Sequence, residues 1–276
     1  MKYILGINAY HGDASACILV DGVVLAAAEE ERFNRIKHWA GFPALSIKYC
    51  LEEAGISLSD VELLAINSDP KANYAKKVSH VLKHRVSLHL ILDRLKNSKA
   101  RKSIGECLRD AFPDDIFTGQ IKNIDHHLAH LASAFYPSPY EESAVVSVDG
   151  FGDFSSGCWG LGVGAKVTKN SNIYYPHSLG AFYQAITQFI GFPNYGDEYK
   201  VMGLAPYGVP KYLDSMRKIV LLQNDGTYRL DLKYFIFHKD KVKYEWNDSS
   251  PVVGKLYSQD LVKLLGPERQ EKSEVE

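Results

Sequence analysis

The sequence predicts an α/β fold of two related lobes, the second of them incomplete. Each half opens with three short apolar strands joined by polar turns. The turn Gly12-Asp13-Ala14-Ser15 recurs as Gly152-Asp153-Phe154-Ser155, each time just after a buried strand. Helical and strand-like segments alternate after both openings. A turn sequence that returns together with the order of its neighbours points to internal duplication.

Tyr3 to Ile7 is an apolar run that reads as a buried first strand. Asn8 to Ser15 is a polar turn, and Ala16 to Val20 is apolar again. Asp21-Gly22 is a strong hairpin signal, so Val23 to Ala28 returns as a third strand. Backbone N–H groups around Gly12 suit a phosphate, and a solvated hairpin loop accounts for the same residues. Glu29-Glu30-Glu31 then precede Arg32, Arg35, Lys37 and His38. This run is either a solvated loop with weak ion pairs or a set of cations facing an anionic ligand near the His11 turn. Pro43 to Ala54 predicts a helix, with Ile47, Cys50, Leu51 and Ala54 on one face and Gly55 closing it. Val61 to Ile66 is a fourth strand. Lys71 to Lys102 is strongly basic, with Asp93 as its single acid and an apolar side. It reads as one or two amphipathic helices, part of an insertion over about 71–115. A solvated basic face explains it; a docking surface for an anionic partner is the alternative.

Ile121 to Ile124 is a fifth strand. It delivers Asp125-His126-His127-Leu128-Ala129-His130 into a predicted helix. Positions four apart share a helix face, so His126 and His130 can chelate one ion; His127 and His130, three apart, are the other pair. Imidazoles suit Zn, Fe, Ni or Cu, and carboxylates usually complete such a set. A polar helix start with Asp125 as N-cap is the competing reading. Pro137-Ser138-Pro139 breaks the helix. The lobes are therefore divided into residues 1–142 and 143–276.

Ala144 to Val148, Cys158 to Val163 and Ala165 to Thr168 repeat the three opening strands. Leu179 to Ile190 predicts a helix. Gly191 to Gly208 reads as a loop whose glycines permit close approach of a ligand, with Lys200 there facing a phosphate or plain solvent. Pro210 to Leu222 predicts a helix and Thr227 to Leu232 a strand. Beyond Phe237 nothing strand-rich is expected, and Gly266 to Glu276 reads as a charged tail. Two meanders, each followed by helices and strands, are the plan of the actin and sugar-kinase superfamily, with ribonuclease H-like duplicated lobes and a ligand cleft between them.

Composition sets bounds on function. The 276 residues are 46% hydrophobic and 24% charged, which leaves room for one large or two medium domains. A formal net charge of -1 gives no global field, so neither nucleic acid nor a membrane surface is expected as a partner. Cys17, Cys50, Cys107 and Cys158 have no metal or redox spacing, which predicts reduced core thiols in a cytoplasmic protein. No apolar run approaches membrane-spanning length, and the N-terminus enters a strand rather than a signal peptide.

Five motifs in order carry a family resemblance. They are His11-Gly12-Asp13-Ala14-Ser15-Ala16; Ala28-Glu29-Glu30-Glu31-Arg32-Phe33 with Lys37-His38; His126-His127-Leu128-Ala129-His130-Leu131-Ala132-Ser133-Ala134; Val148-Asp149-Gly150; and Lys200-Val201-Met202-Gly203-Leu204-Ala205. Over about residues 3 to 208 the sequence resembles the N-terminal, actin-like part of nodulation-type and antibiotic O-carbamoyltransferases, a domain similar in fold to the tRNA threonylcarbamoyl-transfer subunit. The resemblance implies that carbamoyl phosphate and ATP become a carbamoyl-adenylate in a separate C-terminal domain. The carbamoyl group then passes, on this domain, to the hydroxyl of a small-molecule acceptor. It also implies iron, or another divalent transition metal, on His126 and His130, with a further Asp ligand from late in the second lobe. His11 and Lys37 are implied near the carbamoyl group, and Asp149, Gly150 and Lys200 on the nucleotide or metal side. The chemistry is coherent. A Lewis acid polarises the carbonyl, Lys37 stabilises developing negative charge, and His11 serves as general base.

The late carboxylate and the adenylate-forming domain have no counterpart in the sequence. The chain is therefore expected to be a fragment, a truncated frame or one piece of a split enzyme, inactive by itself. Two other classes compete. A non-catalytic nucleotide- or metal-binding remnant would bind without turnover. A kinase or ATPase of the same superfamily would need a catalytic carboxylate over its acceptor and would leave the histidine pair without a use.

Overall fold

A computed structural model describes residues 1–84, 102–239, 242, 244–247 and 250–270. Most of the predicted basic helices, 85–101, and the end of the predicted tail, 271–276, lie outside the described residues. Contacts divide the chain into two units, Met1–His126 and His127–Glu276.

The first unit contains β1 (Tyr3–Asn8), β2 (Ser15–Val20), β3 (Val23–Glu29), α1 (Glu31–Asn34), α2 (Ala44–Ala54), β4 (Val61–Ile66), α3 (Tyr74–His84), α4 (Ile104–Ala111) and β5 (Gln120–Asn123). Its sheet has the order β3-β2-β1-β4-β5. The meander pairs are antiparallel, whereas β1–β4 and β4–β5 are parallel. This is the ribonuclease H-like strand order that the sequence predicts. Asp21 and Gly22 both take positive φ, as the two-residue turn between β2 and β3 requires. Alternation along the strands buries Leu5, Ile7, Ala16, Ile18, Leu64 and Ile66, and Ile47, Cys50 and Leu51 of α2 join that core. Parallel pairing sets the C-terminal ends of β1 and β4 side by side, with Ile7 opposite Ile66.

The charged run after β3 is not a plain loop. Glu30 is 4% exposed. Its carboxylate accepts from the backbone N–H of Leu45 at 3.0 Å and of Ser46 at 2.7 Å, and from Ser46 Oγ at 2.8 Å. A buried anion thus satisfies orphan donors at the start of α2, where the helix dipole favours negative charge.

A helix, α5 (His126–Phe135), crosses the division between the units. The second unit continues with β6 (Glu142–Gly152), β7 (Ser155–Val163), β8 (Lys166–Tyr174), α6 (Leu179–Phe189), α7 (Glu198–Leu204), α8 (Leu213–Ile219), β9 (Val220–Leu222), β10 (Tyr228–Leu230), β11 (Tyr244–Asn247), β12 (Ser250–Val253) and α9 (Gln259–Leu265). The order β6-β7-β8 is antiparallel throughout. The repeated turn is alike in part: Asp13 and Asp153 both take positive φ and Ser15 and Ser155 both start the following strand, but Phe154 takes positive φ where Ala14 does not.

Three expectations need correction here. Part of the supposed 191–208 loop is the helix α7. The predicted helix ending at Leu222 stops at Ile219, and Val220–Leu222 pairs instead with Tyr228–Leu230. A hairpin, β11–β12, lies beyond Phe237, where no strands were expected. These strands have three or four residues, too few to show a period-2 pattern in sequence. The second core gathers Ala181, Ala185 and Phe189 of α6 with Ile219, Leu230, Phe235, Leu256 and Leu261.

No helix among the described residues is long and apolar enough to cross a membrane. All four cysteines are free thiols, and Cys50 is pushed up to about 11, chiefly by burial.

Two outcomes follow from these contacts. Glu30→Ala leaves donors at the start of α2 unsatisfied and should destabilise the chain by about 2–3 kcal/mol in denaturant unfolding. The second concerns His177, whose Nδ1 accepts from Leu230 N–H at 3.2 Å. Burial first, then the charges of Arg229 and His238, hold this imidazole below its ordinary 6.5. The fold therefore favours the neutral ring. Its contribution is complete above about pH 6.5 and is lost as pH falls through the lower folded-state value. Thermal melts should show wild type losing more stability on acidification than His177→Asn.

Candidate functional site

In the first unit, the ends of two parallel neighbours carry asparagines. Asn8 closes β1, and its Nδ2 donates to the carbonyls of Gly12 at 3.1 Å and Asp13 at 3.0 Å. Asn67 follows β4, and its Nδ2 donates to Asn8 Oδ1 at 3.1 Å. The Asn67 carbonyl in turn lies 3.1 Å from His126 Nδ1. A carbonyl can only accept, so Nδ1 carries the proton and Nε2 keeps its lone pair, the state required of a metal ligand or base. The His11 ring packs on the His126 ring with centroids 5.1 Å apart. One chain of hydrogen bonds thus sets both the His11 turn and the tautomer of His126.

The second unit positions His130. Leu131 and Phe135 of α5 are buried with Val145 and Cys158 of the sheet. His127 is 1% exposed and its Nδ1 hydrogen-bonds Ser147 Oγ at 2.8 Å. His127 therefore anchors the helix to β6. His130, on the next stripe, brings Nε2 to 3.6 Å from Asp149 Oδ2. His126 lies one turn before His130 on α5, and His130 and Asp149 each offer a ligand atom to one ion. Two atoms each about 2.1 Å from one ion are roughly 3.4 Å apart in tetrahedral geometry, so the His130–Asp149 spacing fits a shared metal. Two imidazoles and a carboxylate suit a divalent transition metal.

Asp149 is held from behind. Ser178 Oγ donates to the Asp149 carbonyl at 3.0 Å and accepts from Ala181 N–H at 2.9 Å, capping α6. A Cβ on Gly180 would lie 2.7 Å from the Asp149 carbonyl and the Gly150 nitrogen. Only glycine lets this helix start approach Asp149-Gly150 so closely.

Lys37 is exposed, on a segment laced to the His11 turn. Tyr10 N–H donates to Gly41 O and Ala14 N–H to Trp39 O. His38 Nδ1 lies 2.8 Å from Asp13 Oδ1, and His38 N–H donates to Glu31 Oε2 at 3.0 Å. Lys200, on α7, has a carboxylate partner of its own. Its Nζ is 2.6 Å from Asp197 Oδ1, and Asp197 is 5% exposed.

The structure therefore brings His11 to His126 in the first unit and His130 to Asp149 in the second. It fixes the Lys37 segment to the His11 turn and pairs Lys200 with Asp197. Sequence reasoning put Asp149 on the nucleotide or metal side, and its carboxylate lies beside His130. That reasoning missed Asn8, Asn67 and the anchoring role of His127. The available signal was a polar residue just after each of two buried strands, because ligands of open α/β sheets collect at strand C-termini.

Residues 3–248 match the family model described as carbamoyltransferase N-terminus. The chain belongs to this carbamoyltransferase family. An uncharacterized protein of Synechocystis sp. is 39% identical over 254 residues, which is 85% of this chain and 40% of that protein. Nodulation protein NolNO of Sinorhizobium fredii is 36% identical over 226 residues, 82% of this chain and 32% of that protein. The chain thus spans less than half the length of these two relatives. Among solved structures, YeaZ from Pseudomonas aeruginosa overlaps 64% of this chain and 68% of its own, at 15% identity and a TM-score of 0.35. The fold assignment rests on strand order and not on that overlap.

Gly180→Ala should cost about 1–3 kcal/mol, the usual range for overpacking, because backbone on both sides must shift. An unchanged denaturation midpoint would mean that the start of α6 gives way freely.

Proposed function

We propose that this chain is the acceptor-side, N-terminal part of an O-carbamoyltransferase. The observation that carries the reading is the His130–Asp149 pair, with His126 one turn earlier on the same helix and His11 packed on His126, in a chain of this family. His126, His130 and Asp149 would hold a divalent transition metal such as iron, which when bound supplies a Lewis acid toward the carbamoyl carbonyl or the adenylate phosphate. ATP and carbamoyl phosphate are consumed by an adenylate-forming part outside residues 1–276, and the chain receives the carbamoyl-adenylate.

The transfer then uses the chain's own groups. The hydroxyl oxygen of a small-molecule acceptor bonds to the carbamoyl carbon, and its proton passes to His11 as general base. Lys37 stabilises the tetrahedral oxyanion. The carbon–oxygen bond to the adenylate phosphate breaks and AMP leaves. Asp149-Gly150 and Lys200 serve the nucleotide side, Lys200 with its charge already offset by Asp197. A preset His126 tautomer supports this reading, since it requires no rearrangement before ligand binding.

The test combines the chain with the separately produced C-terminal part of the Synechocystis relative, carbamoyl phosphate, ATP, ferrous iron and a panel of polyols and sugars. Carbamoylated product should appear only with both parts. Iron binding without product from any combination would favour a non-catalytic binding module. In metal titrations, His126→Ala and His130→Ala should each lower iron affinity by about tenfold or more. His127→Ala should instead lower stability by about 1–3 kcal/mol through loss of its buried hydrogen bond. If His127→Ala alone weakens iron binding, the assignment of ligands is wrong.

A further inference from the structure

The turn that carries His11 is held on both sides of that residue. After it, Asn8 Nδ2 grips the Gly12 and Asp13 carbonyls. Before it stands Tyr10, whose φ is 64°. A bulky residue rarely takes this left-handed conformation, because its Cβ crowds the backbone. Glycine, asparagine and aspartate tolerate it far better, so an aromatic residue at this corner calls for a reason in its side chain.

The Tyr10 ring packs against the first core. Its hydroxyl lies 2.9 Å from Cys107 Sγ, 97 residues further on. At the backbone, Tyr10 N–H donates to Gly41 O at 3.2 Å. Cys107 is itself well placed. It is 9% exposed on α4, and the next residue, Leu108, is buried in the same first core. The start of α4 is closed by a reciprocal pair. Glu106 N–H donates to Ser103 Oγ at 3.3 Å, and Ser103 N–H donates to Glu106 Oε2 at 2.7 Å. A capped helix thus presents a thiol to the tip of the Tyr10 ring, and phenol and thiol can each donate or accept. With the ring tip and the backbone N–H both tied, φ cannot relax to negative values without breaking a bond or displacing the ring. A relaxed φ would swing the next peptide, and with it the direction of His11 Cβ.

We propose that Tyr10 and Cys107 are positioning residues for His11. The hydroxyl–thiol link holds Tyr10 left-handed, and that backbone turn aims the His11 imidazole. All of these groups lie in the first unit. The proposal rests on the reading of His11 as a working group of the site, but the placement of the ring can be measured without any turnover.

The test uses the full chain, freed of metal by a chelator and isotope-labelled at histidine, with nuclear magnetic resonance as the readout. The His11 ring signals are assigned by their loss in His11→Gln. Tyr10→Phe keeps the ring and removes only the hydroxyl; Cys107→Ala removes its partner. Both should shift the His11 signals and weaken the cross-peaks between the His11 and His126 rings, whose centroids are 5.1 Å apart. Cys107→Ser retains a donor and an acceptor in the same place and should restore the wild-type pattern, which lost packing alone would not allow. Unfolding midpoints identify any variant that fails to fold, and the shape-conserving Tyr10→Phe then decides. Wild-type His11 signals in Tyr10→Phe overturn the proposal. So do signals that change as much in Cys107→Ser as in Cys107→Ala. With the C-terminal part of the Synechocystis relative added, Tyr10→Phe should lower kcat by about tenfold or more and leave the KM for the acceptor within about twofold, the pattern of a displaced group and not of a lost binding contact. Displaced His11 signals with an unchanged kcat would count against His11 as general base, and not against its placement by Tyr10.

Discussion

The seating of one helix on one sheet governs where the histidines point. His127, Leu131 and Phe135 fall four residues apart along α5 and form the buried seam against the sheet. His126 and His130 occupy the adjacent stripe, about 100° around the axis. Burying a Leu and a Phe is worth about 1.5–3 kcal/mol each, and the His127–Ser147 hydrogen bond fixes the rotation of the helix about its axis. The direction of His130 is thus set by apolar burial on the neighbouring stripe. A ligand has no need to organise it.

In the first unit the constraint is polar. Two asparagines, each placed by a parallel strand, join the His11 turn to His126 through hydrogen bonds of ordinary length. Each such bond contributes only about 1 kcal/mol net. Their value is geometric, because they fix a tautomer and a turn at once. The loop carrying Lys37 is sewn to the same turn by main-chain bonds and by the Asp13–His38 pair. Glu30 works nearby for a different purpose, closing the start of α2 beneath the sheet.

Much of this was legible in the sequence, for local reasons. The Asp21-Gly22 turn, the apolar runs of β1, β2 and β4, and the face of α2 all lie within single segments. The spacing of His126 and His130 is likewise local. The choice between His126 and His127 was not, since it depends on Ser147 in a later strand. Asn67 was silent because its partners, Asn8 and His126, are each 59 residues away in sequence. The helix α7 was hidden by Gly203 and Pro206, which lower helix propensity. The hairpin beyond Phe237 has strands too short to announce themselves.

The asparagine ladder also has a direction, with each amide donating one way. Asn67 Nδ2 is the donor that meets Asn8 Oδ1. A carboxylate at this position, as in Asn67→Asp, exchanges the NH2 for an oxygen and leaves two acceptors facing each other. Asn8 must then turn over, and the donor it gives to the Gly12 and Asp13 carbonyls is withdrawn. The hydrophobic core would not notice a change of one atom. The His11 turn thus depends on which end of one amide faces another, a dependence that the apolar core does not share.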